Sequence, residues 1–171
     1  MERTLKRQQI TVGAILKIPL EDNCWTYARI LEEKLAFYDS KTDKDLEIEE
    51  IIAKPVLFFA SVYNSAITKG YWLKIGKKMP LEAHLLDLPP TYSQDILSPS
   101  KFEIRHKRAS RSVTKEECMG LESSLIWTYN GMENRLNDHY AKRYNKLVDY
   151  MLNASIADYI NLKPEKHDHR N

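Results

Sequence analysis

Val56-Leu57-Phe58-Phe59-Ala60-Ser61-Val62-Tyr63 is apolar on both sides of a period-two alternation. Val56, Phe58, Ala60 and Val62 fall on one face, and Leu57, Phe59 and Tyr63 on the other. A strand apolar on both faces must be covered on both, which predicts a central strand. Pro55 stands at its start, where a missing N–H does least harm. Upstream, residues 11–18 read as a strand closed by Pro19, residues 24–31 as a second, and residues 35–38 as a short third. Residues 39–44 are polar and form a turn or loop. Leu46 and Ile48 alternate with Glu47 and Glu49, the pattern of an edge strand wet on one face; Ile51 and Ile52 break it, so it ends in a helical turn. Downstream, residues 64–69 make a turn or short helix stopped by Gly70, and residues 71–75 a further strand before Gly76. Strands at such short spacing favour antiparallel meanders and a strongly bent, barrel-like sheet.

The period then changes. Residues 77–113 read as an irregular connection, with a short helix within 80–88, prolines at 89, 90 and 99, and a brief strand at 102–105. Residues 114–160 read as helical. Thr114-Lys115-Glu116-Glu117 fits a capping box, and Cys118, Leu121 and Leu125 then share a face. Gly120 in that helix costs about 1 kcal/mol relative to Ala, which predicts a close packing contact there. A second helix over 131–152 carries the stripe Met132, Leu136, Tyr140, Tyr144, Leu147 and Met151. A short helix over 156–160 and a polar tail over 161–171 follow. The expected fold is therefore α+β: one domain over residues 1–171, with a bent, barrel-like antiparallel sheet and two C-terminal helices packed against it or each other.

With 26 Lys and Arg against 24 Asp and Glu, the net charge is only +2. That argues against a protein dedicated to nucleic acid and against a global acidic mimic of DNA. Cys24 and Cys118 lie far apart in apolar patterns and read as buried thiols of a reducing compartment. No apolar run approaches the roughly 20 residues of a membrane span, and no apolar segment follows the basic N-terminus as in a secretory signal. The expected location is the cytoplasm.

A search for chemistry finds little. There is no CxxC or HExxH, and His167-Asp168-His169 sits in the polar tail. No Gly-rich loop is present to cradle phosphate, and no Ser stands in a Gly-x-Ser-x-Gly turn. Cys118 and His139 are the nearest approach to a thiol–base pair, but Cys118 starts an apolar stripe. No catalytic residue, metal ligand or cofactor is therefore assigned. Two charge clusters remain. Asp43, Asp45, Glu47, Glu49 and Glu50 form a compact acidic run, either a solvated face or a docking patch for a basic partner. Lys101, Arg105, His106, Lys107, Arg108 and Arg111 form a basic run opposed only by Glu103; its role is either a solvated loop or a contact to nucleic acid or an acidic partner. Trp25, Trp72 and Trp127 are core residues or interface anchors.

Three groups of segments carry a resemblance. The first is Val12-Gly13-Ala14-Ile15-Leu16-Lys17-Ile18-Pro19-Leu20, then Trp25-Thr26-Tyr27-Ala28-Arg29-Ile30-Leu31 and Ala36-Phe37-Tyr38-Asp39. The second is Val56-Leu57-Phe58 with Trp72-Leu73-Lys74-Ile75-Gly76-Lys77 and Pro80-Leu81. The third is Glu117-Cys118-Met119-Gly120-Leu121-Glu122 with Trp127 and Met132-Glu133-Asn134-Arg135-Leu136-Asn137-Asp138-His139-Tyr140. In that order, over residues 11–145, the chain resembles the bacterial immunity protein 26 family of polymorphic toxin systems. It departs at Asn23-Cys24, where a turn Gly is expected after the acidic residue. The resemblance implies a non-catalytic antidote that binds and neutralises a cognate protein toxin, with no membrane or cofactor. The charge pattern nominates Asp43, Asp45, Glu47, Glu49 and Glu50, with Trp72, as toxin-binding residues. A small barrel-like nucleic-acid-binding module and an enzyme with a site built from scattered residues are the alternatives from other classes. Oligomeric state is not legible.

Overall fold

A computed structural model describes residues 5–153. Four strands form an antiparallel meander: β1 (Ala14–Pro19), β2 (Trp25–Ile30), β3 (Leu35–Tyr38) and β4 (Val56–Val62). The β1–β2 connection turns through Asp22 and Asn23, both at positive φ (59° and 54°). Such a turn suits the strand twist and favours Asx–Gly, so Asn23 occupies the position where the resemblance expects glycine. A fifth strand, β5 (Leu73–Lys77), adds antiparallel to the outer side of β1.

Register assigns each residue of the meander to a face. Leu16 opposes Ala28, Ala28 opposes Phe37, and Phe37 opposes Phe58. This face packs on Trp72, on the short helix α2 (Ser65–Thr68), and on Met132 and Leu136 of α4 (Tyr129–Tyr140). The other face carries Ile15, Tyr27, Arg29, Ala36 and Tyr38. Ile51 of α1 (Ile48–Ile52) covers its lower part, and Leu85 of α3 (Ala83–Leu86) covers Ala36 and Phe59. A Cβ on Gly76 would meet the terminal methyl of Ile48, so the glycine in β5 leaves room for that side chain against the sheet.

Residues 77–113 are not an irregular connection. They contain most of a second sheet: β6 (Thr91–Gln94), β7 (Phe102–His106) and β8 (Ala109–Val113), paired antiparallel. The basic run is the β7–β8 hairpin, turned by Lys107 at φ 55°. Segment 115–128 is not a helix either. Thr114 and Glu117 do form the reciprocal capping bonds: the Thr114 N–H donates to Glu117 Oε2 (2.9 Å), and the Glu117 N–H to Thr114 Oγ1 (3.4 Å). They launch only one 3-10 turn, Glu116–Cys118. Gly120 at φ 83° then reverses the chain, with nothing near its would-be Cβ, so this glycine serves backbone conformation and not close packing. Two short strands follow. β9 (Glu122–Ser123) pairs parallel with β6, and β10 (Ile126–Trp127) pairs parallel with β4.

Two open sheets result, ordered β10-β4-β3-β2-β1-β5 and β8-β7-β6-β9, where a barrel was expected. With five α-helices among the described residues the class is mixed α+β. β4 is not central: only the two-residue β10 lies beyond it, and most of its side chains are half-buried. The expected edge strand at 46–49 is absent, because Glu47 and Glu50 form a capping box and Ile48 begins α1.

The expected long C-terminal helix is two. α4 ends at Ala141, with Lys142 at φ 53°. The Lys142 N–H donates to His139 O, and the Arg143 N–H to Asp138 O, which closes a Schellman motif. The stripe is accordingly split: Met132 and Leu136 are fully buried, whereas Tyr144 is 71% exposed before α5 (Lys146–Asn153). The Met151 side chain, the expected helix over 156–160 and the tail lie outside the described residues.

Two measurements check this packing. Leu136→Ala is expected to cost roughly 2–5 kcal/mol in chemical denaturation, as buried Leu truncations do. Gly120→Ala is expected to cost about 1–2 kcal/mol, and Gly120→Asn less, because Asn tolerates positive φ. Equal losses for both would show that space at Gly120, and not backbone conformation, limits the site.

Candidate functional site

The acidic run stays together on the surface, on the loop before α1 and on its first turn. Asp43, Asp45, Glu47, Glu49 and Glu50 are all exposed. Their charges are partly engaged. Asp45 pairs with Lys17 (2.5 Å), whose ammonium also lies over the Trp25 ring (3.7 Å), and Glu49 pairs with Lys78 (2.6 Å). Glu50 accepts from the Glu47 N–H (2.9 Å). Asp43 has no ion-pair partner among the described residues. Trp72, grouped with this run from sequence, is fully buried on the opposite face of the sheet and donates its indole N–H to Glu133 (3.0 Å). Its burial removes it from any contact surface.

The basic hairpin is less basic than its sequence. Arg105 lies 3.5 Å from Glu103, Lys107 pairs with Asp87 (3.1 Å), and Arg111 pairs with Glu117 (3.0 Å). Only part of its charge is left to meet phosphates, which disfavours a backbone-tracking groove. Cys118 is buried beside Tyr92 and Phe102, and its Sγ lies 3.5 Å from Thr114 O. Burial first, and Glu117 second, push its thiol pKa up, which keeps it protonated. Among the described residues no group of three His, Cys, Asp or Glu is placed to hold a metal ion, and no helix is long and apolar enough to cross a membrane.

Sequence reading missed a buried arginine. Arg29 is 0% exposed on the α1/α3 face of the sheet. Its Nη1 donates to Glu82 Oε2 (2.5 Å) and its Nη2 to Lys78 O (2.6 Å). The guanidinium thus ties residues 78–82 to β2. Glu82 is also the N-cap of α3, so the same pair positions that helix. The only available signal was a charged residue within an otherwise apolar strand.

Beside α3 lies a cleft of about 480 Å³. Leu31, Leu81, Leu85 and Leu88 line it from the first sheet and α3, Glu32 and Glu33 from the β2–β3 turn, and Arg105, Lys107 and Arg108 from the basic hairpin. Across the molecule, Arg135 of α4 makes a two-pronged pair with Glu122 of β9 (2.5 and 2.9 Å) and stacks over Phe58 (3.8 Å). That pair clamps the second sheet to the first.

The family model described as Immunity protein 26 matches residues 11–103. The chain belongs to this family. No curated protein and no solved structure matches it. The match takes in the whole meander, α1, α2, β5, α3 and β6, and so includes the acidic run, Arg29 and the floor of the cleft. It stops at Glu103, so the third group of segments quoted from the sequence lies beyond it.

Two outcomes follow for this Immunity protein 26 member. Glu82→Ala removes the carboxylate partner of the buried Arg29, which keeps its bond to the Lys78 carbonyl, and is expected to cost about 1–3 kcal/mol, read by denaturant unfolding. Burial raises the Tyr92 hydroxyl to about 12, with Glu122 adding to the effect. The folded state therefore holds that proton more tightly than the unfolded chain, whose tyrosine titrates near 10. This contribution is full below pH 10 and is lost as pH rises from about 10 to about 12. Tyr92→Phe is expected to flatten the stability profile in that window.

Proposed function

We propose that the chain is the antidote of a toxin–immunity pair, a non-catalytic cytoplasmic protein that binds a cognate protein toxin and neutralises it. The observation that carries this reading is membership of the Immunity protein 26 family. It is supported by Cys118, whose burial pushes its thiol pKa up and leaves it a poor nucleophile.

The exposed acidic connection is the proposed contact: Asp43 and Asp45 on the loop, with Glu47, Glu49 and Glu50 behind them. Toxins that attack nucleic acids need basic surfaces, and an acidic patch steers such a partner into encounter. Trp72 drops out of this contact because it is buried.

The experiment is co-expression with the protein encoded beside this one, followed by co-purification and a survival assay. Wild type is expected to bind and protect. Asp43→Lys with Asp45→Lys tests the patch, since Glu47 and Glu50 also cap α1. Asp45→Lys also removes the exposed Lys17–Asp45 pair, which contributes up to about 1 kcal/mol, so Asp43→Lys alone is measured beside the double variant. The double variant is expected to associate more slowly and to lose much of the salt dependence. Unchanged rates would show the patch to be a solvated face.

A further inference from the structure

The cleft beside α3 is bounded by the β2–β3 turn and the β7–β8 hairpin. Its floor, Leu31, Leu81, Leu85 and Leu88, is continuous with the core cluster of Leu31, Ala36 and Leu85, so it is rigidly backed. Glu32 and Glu33 stand exposed on one side with the half-buried Lys34 beside them, and Arg105, Lys107 and Arg108 stand exposed on the other. Arg108 has no ion-pair partner among the described residues. At the mouth, Leu86 is 66% exposed although it belongs to a helix tethered by the Glu82–Arg29 pair. A leucine held in water on a fixed element, beside an apolar floor, is a ready anchor for a partner. The volume, about 480 Å³, is the size of pockets that enclose one or a few side chains.

The cleft is also continuous with the acidic connection. Both lie on the face of the first sheet that carries Ile15, Tyr27 and Ala36. The Glu49–Lys78 pair joins α1 to the 78–82 segment, and Glu82 of that segment caps α3. One partner laid across this face therefore meets acid first and the cleft second.

The geometry points to this cleft as the seat of an extended segment of the toxin, with an apolar side chain on the leucine floor and a carboxylate facing Arg105 and Arg108. The inference rests on the antidote reading, and it names a second contact on the partner. Charge complementarity selects the occupant. Lys34, Arg105, Lys107 and Arg108 outnumber Glu32 and Glu33 around the cleft, so the segment is acidic where it faces the hairpin. The leucine floor takes an apolar side chain, which the phosphate backbone of a nucleic acid does not supply. The matched family segment supplies the floor and the acidic wall, whereas Arg105 and Arg108 lie beyond it.

The test uses the full chain and, as probe, the protein encoded beside it. Affinity is measured for wild type, Arg105→Glu with Arg108→Glu, Leu86→Asp, and the control Lys101→Glu, an exposed hairpin charge that does not line the cleft. The hairpin pair and Leu86→Asp are each expected to weaken binding at least about tenfold, the scale of a lost interface contact. Lys101→Glu is expected to stay within about twofold, and thermal midpoints to match wild type. Hydrogen exchange on the complex is expected to protect residues 31–34 and 81–88. Binding within about twofold of wild type for both cleft variants, without protection at those segments, overturns the cleft and leaves the antidote reading standing. Absence of binding by wild type overturns both.

Discussion

A sheet that is apolar on both faces cannot rest until two different covers reach it. The β1–β2–β3 meander imposes this demand, because Leu16, Ala28 and Phe37 point one way and Ile15, Tyr27 and Ala36 the other. One face draws in α2, Trp72 and α4, and the other draws in α1 and α3. Arg29 sits on the second face with no water to meet it. Its pairing with Glu82 and the Lys78 carbonyl therefore dictates where the chain runs between β5 and α3. A lone guanidinium there would be costly to bury, so the path of residues 78–82 is tightly specified. Both regions argued to meet a partner, the α1 connection and the cleft, are outer surfaces of these covers.

The meander was readable because its two apolar faces write a period of two into the chain, and its turns fall where Asp22-Asn23 and Glu32-Glu33 interrupt it. Errors came where a local signal ran against a tertiary one. Leu46-Glu47-Ile48-Glu49 alternates like a strand, yet a capping box between Glu47 and Glu50 starts a helix. Thr114–Glu117 caps as its residues suggest, but Gly120 at positive φ stops the helix after one turn. At the end of α4 no glycine marks the stop; Lys142 takes the left-handed conformation itself, and the tyrosine stripe appeared longer than the helix that carries it. Of the second sheet only β7 was legible, as the short strand at 102–105, because β6 and β8 are short and polar. Its last strand, β9, comes from farther along the chain.

The candidate surfaces were legible to an uneven degree. Acidic clustering is a property of neighbours in sequence, so Asp43 to Glu50 stood out at once. Its dilution by Lys17 and Lys78 did not, because those lysines come from β1 and from the segment after β5. Trp72 carries no mark that separates a core indole from an exposed one; only its place under α4 decides. The cleft was invisible to sequence, since its floor, its acidic wall and its basic wall come from three separated segments.

The six residues from Glu122 to Trp127 lay one strand along each sheet, β9 on β6 and then β10 on β4. Each short strand can pair only once its own template exists, and each template lies far upstream. Closing such long loops is entropically unfavourable before the contacts form. A chain still emerging from the ribosome therefore leaves the outer edges of β4 and β6 unsealed until residues 122–127 have been made. Exposed edges of that kind are templates for pairing with other chains. The order of synthesis therefore decides how long those two edges stay open.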